Sequence, residues 1–158
     1  MAVRHKLTAA SYLVLMKDTQ VLLYRRYNTG YEDGNYSVVA GHLDPNETLT
    51  ECIIRETEEE IGITIAPKDL KMTHMMHRHS GLTEEYERLD AFFVCTQWTG
   101  EIVNKEPHKC DDLQWFPIDQ LPNNTIPYIK QAIQCVQNNI FYSEHGWNST
   151  IQATNPRT

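Results

Sequence analysis

Residues 41–63 read GHLDPNETLTECIIRETEEEIGI, a turn-rich opening followed by a run in which four of the five residues 56–60 are glutamate. Thr48, with Glu51 three residues on, forms a capping box, and Gly62 suits the left-handed stop at a helix end. The stretch therefore predicts a helix over about residues 49–61. Successive helical side chains rotate by about 100°, which gives each glutamate a direction. With Leu49 as the origin, Ile53, Thr57, Ile61 and Ile54 fall at about 40°, 80°, 120° and 140°, an apolar stripe centred at about 60°. Glu60 falls at about 20°, inside that stripe, and Glu56 at about 340°, on its margin. Glu59 comes next at about 280°, while Glu51 and Glu58, at about 200° and 180°, face water.

A solvated acidic face would keep its glutamates off the stripe. Glu51 and Glu58 obey that rule; Glu56 and Glu60, one turn apart and of like charge, do not. Placing two carboxylates against a core costs several kcal/mol unless positive charge meets them. Arg55 serves part of that need, and a hard divalent cation, which prefers clustered carboxylate oxygens, would serve the rest.

Working outward, residues 7–16 and 21–27 are apolar and rich in strand formers, and the turn composition of residues 17–20 makes them a hairpin. Residues 35–40 form a further strand that enters the turn at Gly41. Residues 70–79, 88–98 and 113–116 read as strands, and residues 127–140 as an amphipathic helix opened by Pro127. The order predicts an α+β or α/β sandwich, with a mixed sheet between helices. Residues 1–142 are read as a single domain and residues 143–158 as a polar, frayed tail.

The chain has 158 residues, 41% apolar and 22% charged, enough for one well-cored globular domain. No apolar run approaches the roughly 20 residues that span a bilayer, and the N-terminus lacks a cleavage-site pattern, so a cytoplasmic protein without membrane association is expected. A net charge of −7 argues against gripping a nucleic-acid backbone and implies metal ions if phosphates are handled. Cys52, Cys95, Cys110 and Cys135 stand singly and read as free thiols. Three Asn-X-Ser/Thr tripeptides, at 46, 123 and 148, mean little without a secretion signal.

The quoted stretch resembles the signature of the Nudix hydrolases: glycine, five residues, glutamate, seven residues, then REUXEEXGU, where U is apolar. All fixed residues match at their spacing, from Gly41 and Glu47 through Arg55, Glu56, Glu59, Glu60 and Gly62 to Ile63. Thr57 stands where an aliphatic residue is usual, and its methyl group can still pack. The resemblance implies a Nudix fold, Mg²⁺ with Mn²⁺ able to substitute, and cleavage of a nucleoside diphosphate linked to a further group. It also implies that Glu56, Glu59 and Glu60 are metal-binding and catalytic, that Arg55 orients one of them, and that the Gly41 backbone lies at the metal. Glu47 is expected to anchor loop to helix by pairing with Arg55. Glu56 is the first choice of general base, with Glu106, Asp111 and Asp112 as alternative bases or additional metal ligands, Glu106 foremost among the latter.

Substrate selection lies outside this stretch. No proline follows it as in ADP-ribose pyrophosphatases, and no SQPWPFPxS element as in NADH pyrophosphatases is evident. The expectation is therefore a MutT-like enzyme cleaving a nucleoside triphosphate, including oxidised ones, to monophosphate and pyrophosphate, acting as a monomer or homodimer. Alternatives are a nucleotide-sugar or ADP-ribose pyrophosphatase, an isopentenyl diphosphate isomerase and a non-enzymatic nucleotide sensor. Arg25, Arg78, Arg88 and Tyr36 are candidate substrate contacts; Arg26, Tyr31, Tyr86, Trp98 and Trp115 are further cationic or stacking residues. His77 and His79 share one face of a strand and His74 takes the other, so the three do not converge on zinc.

Overall fold

The computed structural model describes residues 2, 4–79 and 87–147. Its elements run β1 (Thr8–Lys17), β2 (Gln20–Arg26), β3 (Tyr36–Ser37), β4 (Val39–His42), α1 (Leu49–Ile61), a 3₁₀ turn at Pro67–Asp69, β5 (Lys71–His79), β6 (Glu87–Cys95), β7 (Cys110–Pro117), α2 (Pro127–Gln137) and β8 (Tyr142–His145). One path through the sheet runs β3-β2-β1-β6-β5-β8, with β4 also paired to β1 and β7 to β2. β1 lies parallel to β6 and β5 parallel to β8; the other pairings are antiparallel, so the sheet is mixed as expected.

Alternation along β1 builds both halves of the sandwich. Tyr12 and Val14 pack with Phe92, Met76 and the α2 residues Ile129, Ala132 and Ile133. Leu13 and Leu15 point the other way, onto Ile53 and Ile61 of α1 and onto Phe93. This two-sided burial explains why β1 reads as a nearly continuous apolar run. Among the few polar residues within it, Ser11 is buried and donates to the Leu49 carbonyl at 2.8 Å, tying β1 to the start of α1.

The expected strand at 35–40 is two short strands, and its second half, β4, leaves β2 for β1. That change of partner carries Gly41 to the N-terminal approach of α1. The strand expected over 113–116 begins at Cys110, because Arg26 and Arg25 of β2 continue the pairing to Cys110 and Asp112. The chain does not become a loose tail at Ser143. Tyr142–His145 pairs in parallel with Met75–Arg78, and the buried His74 holds it: its ring nitrogens meet the Ile140 carbonyl at 2.7 Å and Ser143 Oγ at 2.9 Å. α2 stops at Gln137, with Asn139 in a left-handed conformation. Residues 148–158 of the expected tail, and Tyr86, lie outside the described residues.

Candidate active site

α1 spans Leu49–Ile61 as its capping signals require. Thr48 accepts from the Glu51 amide, Glu51 accepts from the Thr48 amide, and Gly62 closes the helix at φ 74°. Ile53 and Ile61 are buried, and Thr57 is buried with its hydroxyl donating to the Ile53 carbonyl at 2.6 Å. Thr57 is accommodated because the intrahelical bond satisfies its only polar group. With that face fixed on the sheet, the glutamates are sorted by rotation alone.

Glu51 and Glu58 face solvent. Glu56 and Glu60 line a cavity of about 770 Å³, together with Gly41, Glu106 and Lys109. The Glu56 side chain is 16% exposed against 55% for Glu59, which stands at the outer edge of the group rather than in the cavity wall. Glu60 is the most deeply set. Its Oε2 is sealed from solvent without a hydrogen-bond partner among the described residues. Burial first, and then the charges of Glu56 and Glu106, push its carboxyl well above the ordinary carboxylate range. Burial likewise raises Glu56, against the opposing pull of Arg55.

Arg55 organises the polar side of α1. Its Nε and Nη2 donate to the two Glu47 oxygens at 2.7 and 2.9 Å, the fork geometry that matches guanidinium to carboxylate. Its Nη1 donates to Glu56 Oε1 at 2.7 Å and reaches Glu59 at 3.5 Å, while Nη2 also meets the His42 carbonyl at 3.2 Å. The Arg55 bond, with the Asp44 amide second, draws the Glu47 carboxyl down to about 2. One guanidinium thus binds the 42–47 turn to the helix and aims Glu56 at the cavity. Gly41 completes the arrangement: a Cβ there would overlap the Glu56 carboxylate, so only glycine lets the backbone and Glu56 sit together.

Glu106 reaches the same cavity from the loop before β7, where Asn104 holds it by accepting from the Glu106 amide and donating to the Cys110 carbonyl. The two aspartates that follow in β7 do not join it. Asp111 forms a two-point pair with Arg25, and Asp112 accepts from the Tyr36 hydroxyl; none of these four lines the cavity. Arg78 is buried in an ion pair with Asp90 at 2.6 Å and covers the Tyr128 ring at 3.9 Å. Of the four substrate-contact candidates, Arg88 alone lines the cavity, with Nη1 bonded to His42 Nε2 at 2.7 Å. Tyr31 lines it too, whereas Trp98 and Trp115 stack on each other at 6.0 Å elsewhere. His77 and His79 pack on Trp147, away from His74.

Several cavity residues had no signal of their own in the sequence. Tyr12, Tyr24 and Tyr128 sit in runs that read as core, and Asn28 and Thr29 in a stretch that reads as a turn. That turn is tightly built. Asp33 accepts from the amides of Thr29 and Gly30, both at 2.9 Å, and Arg26 Nε donates to the Tyr31 carbonyl at 2.7 Å. The Asn, Gly and Asp content of residues 28–34 was the available clue, and in the structure Asn28, Gly30, Glu32 and Gly34 are left-handed.

Residues 5–134 match the NUDIX domain family. The chain is 30% identical over 121 residues to the NAD-capped RNA hydrolase NudC of Stutzerimonas stutzeri, covering 74% of this chain and 39% of that protein. It is 28% identical over 122 residues to the NAD-capped RNA hydrolase NudC of Chromobacterium violaceum, covering 77% and 42%. The chain thus spans about two-fifths of the length of these curated relatives. A MutT NUDIX hydrolase structure from Burkholderia pseudomallei superposes with a TM-score of 0.74 at 22% identity, covering 82% of this chain and 97% of that one. A MutT protein from Bacillus halodurans superposes at 0.70 with 19% identity, covering 88% and 90%. These likenesses give the fold.

Proposed function

The chain belongs to the NUDIX domain family, and on that premise we propose that it is a divalent-cation-dependent pyrophosphohydrolase of nucleoside diphosphates linked to a further group, with a nucleoside triphosphate, cleaved to monophosphate and pyrophosphate, as its preferred substrate. The observation that carries this reading is Glu60: a sealed carboxylate oxygen with no hydrogen-bond partner among the described residues, beside Glu56 and in one cavity with Glu106. A fold does not leave such an oxygen unpaired without cost, and a cation shared with substrate supplies the missing partner.

The residues fit Mg²⁺ or Mn²⁺. Glu56, Glu60 and Glu106 bring carboxylate oxygens to the cavity, the donors that hard cations prefer, and Gly41 leaves its backbone close to Glu56. Among the described residues no three His, Cys, Asp or Glu side chains are gathered closely enough to enclose an ion by themselves. An ion here would be held by one or two carboxylates and left open to the substrate, a mode that suits Mg²⁺. Glu56 and Glu60 would hold it, with Glu59 and Glu106 at the margin. When bound, the cation supplies charge neutralisation at the pyrophosphate and a more acidic attacking water.

The chain's own residues do the rest. Glu56, aimed by Arg55, takes the proton from the attacking water through the oxygen that Arg55 does not occupy. Glu47 keeps Arg55 in place, so Glu47 acts on the proton acceptor indirectly. Arg88, braced by His42, meets an anionic or carbonyl oxygen of the substrate within the cavity, and the Tyr24 and Tyr31 side offers aromatic surface to the nucleoside.

A second reading, hydrolysis of NAD-type dinucleotides or NAD-capped RNA, is favoured by the similarity to the NAD-capped RNA hydrolases NudC. One experiment separates the two: a product-resolved screen with Mg²⁺ of canonical and oxidised nucleoside triphosphates, nucleotide sugars, ADP-ribose, NAD(H), dinucleoside polyphosphates, isopentenyl diphosphate and NAD-capped RNA. Pyrophosphate release from triphosphates supports the first; release of nicotinamide mononucleotide supports the second. No turnover of any compound, with or without metal, overturns both and leaves a nucleotide sensor.

A further inference from the structure

Lys109 contributes an ammonium group to a cavity otherwise marked by Glu56, Glu60 and Glu106. Its Nζ pairs with Glu106 at 3.0 Å, and its positive charge is felt by Glu60 as well. Two neighbouring cations are engaged several times over, Arg55 with Glu47, Glu56 and His42, and Arg26 with Tyr24, Thr29 and Tyr31, while Arg88 is set against the His42 ring rather than a carboxylate. Among the described residues Lys109 has one ion pair, and its side chain is 53% exposed. Its backbone, by contrast, is pinned. The Lys109 carbonyl accepts from the Tyr27 amide at 2.8 Å, its amide donates to the Glu106 carbonyl at 2.8 Å, and the loop is joined to α1 where the Lys105 amide meets the Glu60 carbonyl at 3.0 Å. A fixed stem with a free head is the arrangement of a group that changes partners.

Resting on the metal-dependent reading above, we propose that Lys109 is an exchangeable counter-ion: it neutralises Glu106 until a divalent cation engages that carboxylate, and it then binds a phosphoryl oxygen of the substrate. The exchange keeps Glu106 paired at both stages. It also delivers a point charge to the phosphates only after the metal has arrived. An ion pair open to solvent contributes little, so a divalent cation readily displaces it.

The test uses the full chain and two probes, Mn²⁺ alone and then methylenediphosphonate, an uncleavable pyrophosphate mimic, at saturating Mn²⁺, both followed by calorimetry. Lys109→Met is expected to tighten Mn²⁺ binding about two- to fivefold by removing the competitor. The same variant should weaken methylenediphosphonate about tenfold or more, the loss expected of a charge-assisted hydrogen bond. Lys109→Arg, which retains the charge, should lie near the parent for both. A Lys109→Met protein that matches the parent in either quantity overturns the exchange. Glu60→Gln is the control: if it binds Mn²⁺ as the parent does, the metal reading itself falls, whereas binding that depends on Glu60 but not on Lys109 removes the counter-ion role alone.

Discussion

At the scale of single residues, Glu60 and Glu58 form a natural comparison, because two positions of rotation separate a sealed carboxylate from a solvated one. Glu60→Gln preserves shape and removes charge; turnover should fall by about two orders of magnitude or more and Mg²⁺ binding should weaken. Glu58→Gln should stay close to the parent. Equal activity of Glu60→Gln and parent at saturating Mg²⁺ contradicts the assignment. Gly41 offers an independent check that does not touch a carboxylate. In Gly41→Ala the new methyl must displace Glu56, and a shift of about 1 Å at a reacting group costs about a hundredfold. Steady-state kinetics should show that loss in kcat, with the melting temperature little changed.

At the scale of elements, the joint between the 42–47 turn and α1 is electrostatic. Glu47 has a folded value near 2, below that of an unfolded glutamate, so its pairing with Arg55 contributes stability above the ordinary range and loses it as pH falls through about 2. Melting temperature should therefore decline from about pH 4.5 downward. Glu47→Gln should flatten that decline; an identical acid profile in parent and variant refutes it. The same joint shows why α1 was readable before any coordinates: its cap, its stop and its stripe are local, each set by neighbours within a few residues. β3 and β4 were not separable in that way, since the switch of partner from β2 to β1 depends on strands distant in sequence. β8 was hidden for the same reason. YSEH carries almost no apolar signal, and it is a strand because β5 offers an open edge and His74 offers a bond.

At the scale of the whole molecule, the Arg78–Asp90 pair links β5 to β6 beneath the cavity, inside the core that α2 covers. Burial raises the Asp90 carboxyl even beside Arg78, which marks how costly the unpaired charge would be. Arg78→Met should destabilise the fold by about 3–5 kcal/mol in chemical denaturation, because it strands Asp90. Arg78→Met combined with Asp90→Leu should recover much of that loss. If the double variant is no more stable than the single one, the pair is not the reason for the cost. This burial also accounts for Arg78 as a cation that the sequence offered to substrate and the fold spent on a core ion pair.

Sequence alone determined the acidic helix, its boundaries, the glutamates that turn inward and the mixed-sheet sandwich that must receive them, since periodicity and capping act over a few residues and the signature from Gly41 to Ile63 is contiguous. Only the tertiary structure decided which cations and aromatics reach that helix. Arg25, Arg78, Arg88 and Lys109 are all cations whose sequence neighbours do not tell their partners apart. Strand pairing gives the first to Asp111 and the second to Asp90, and brings the third and fourth to the cavity. A side chain's partner depends on which segments meet in space, and residues tens of positions apart do not record that meeting locally.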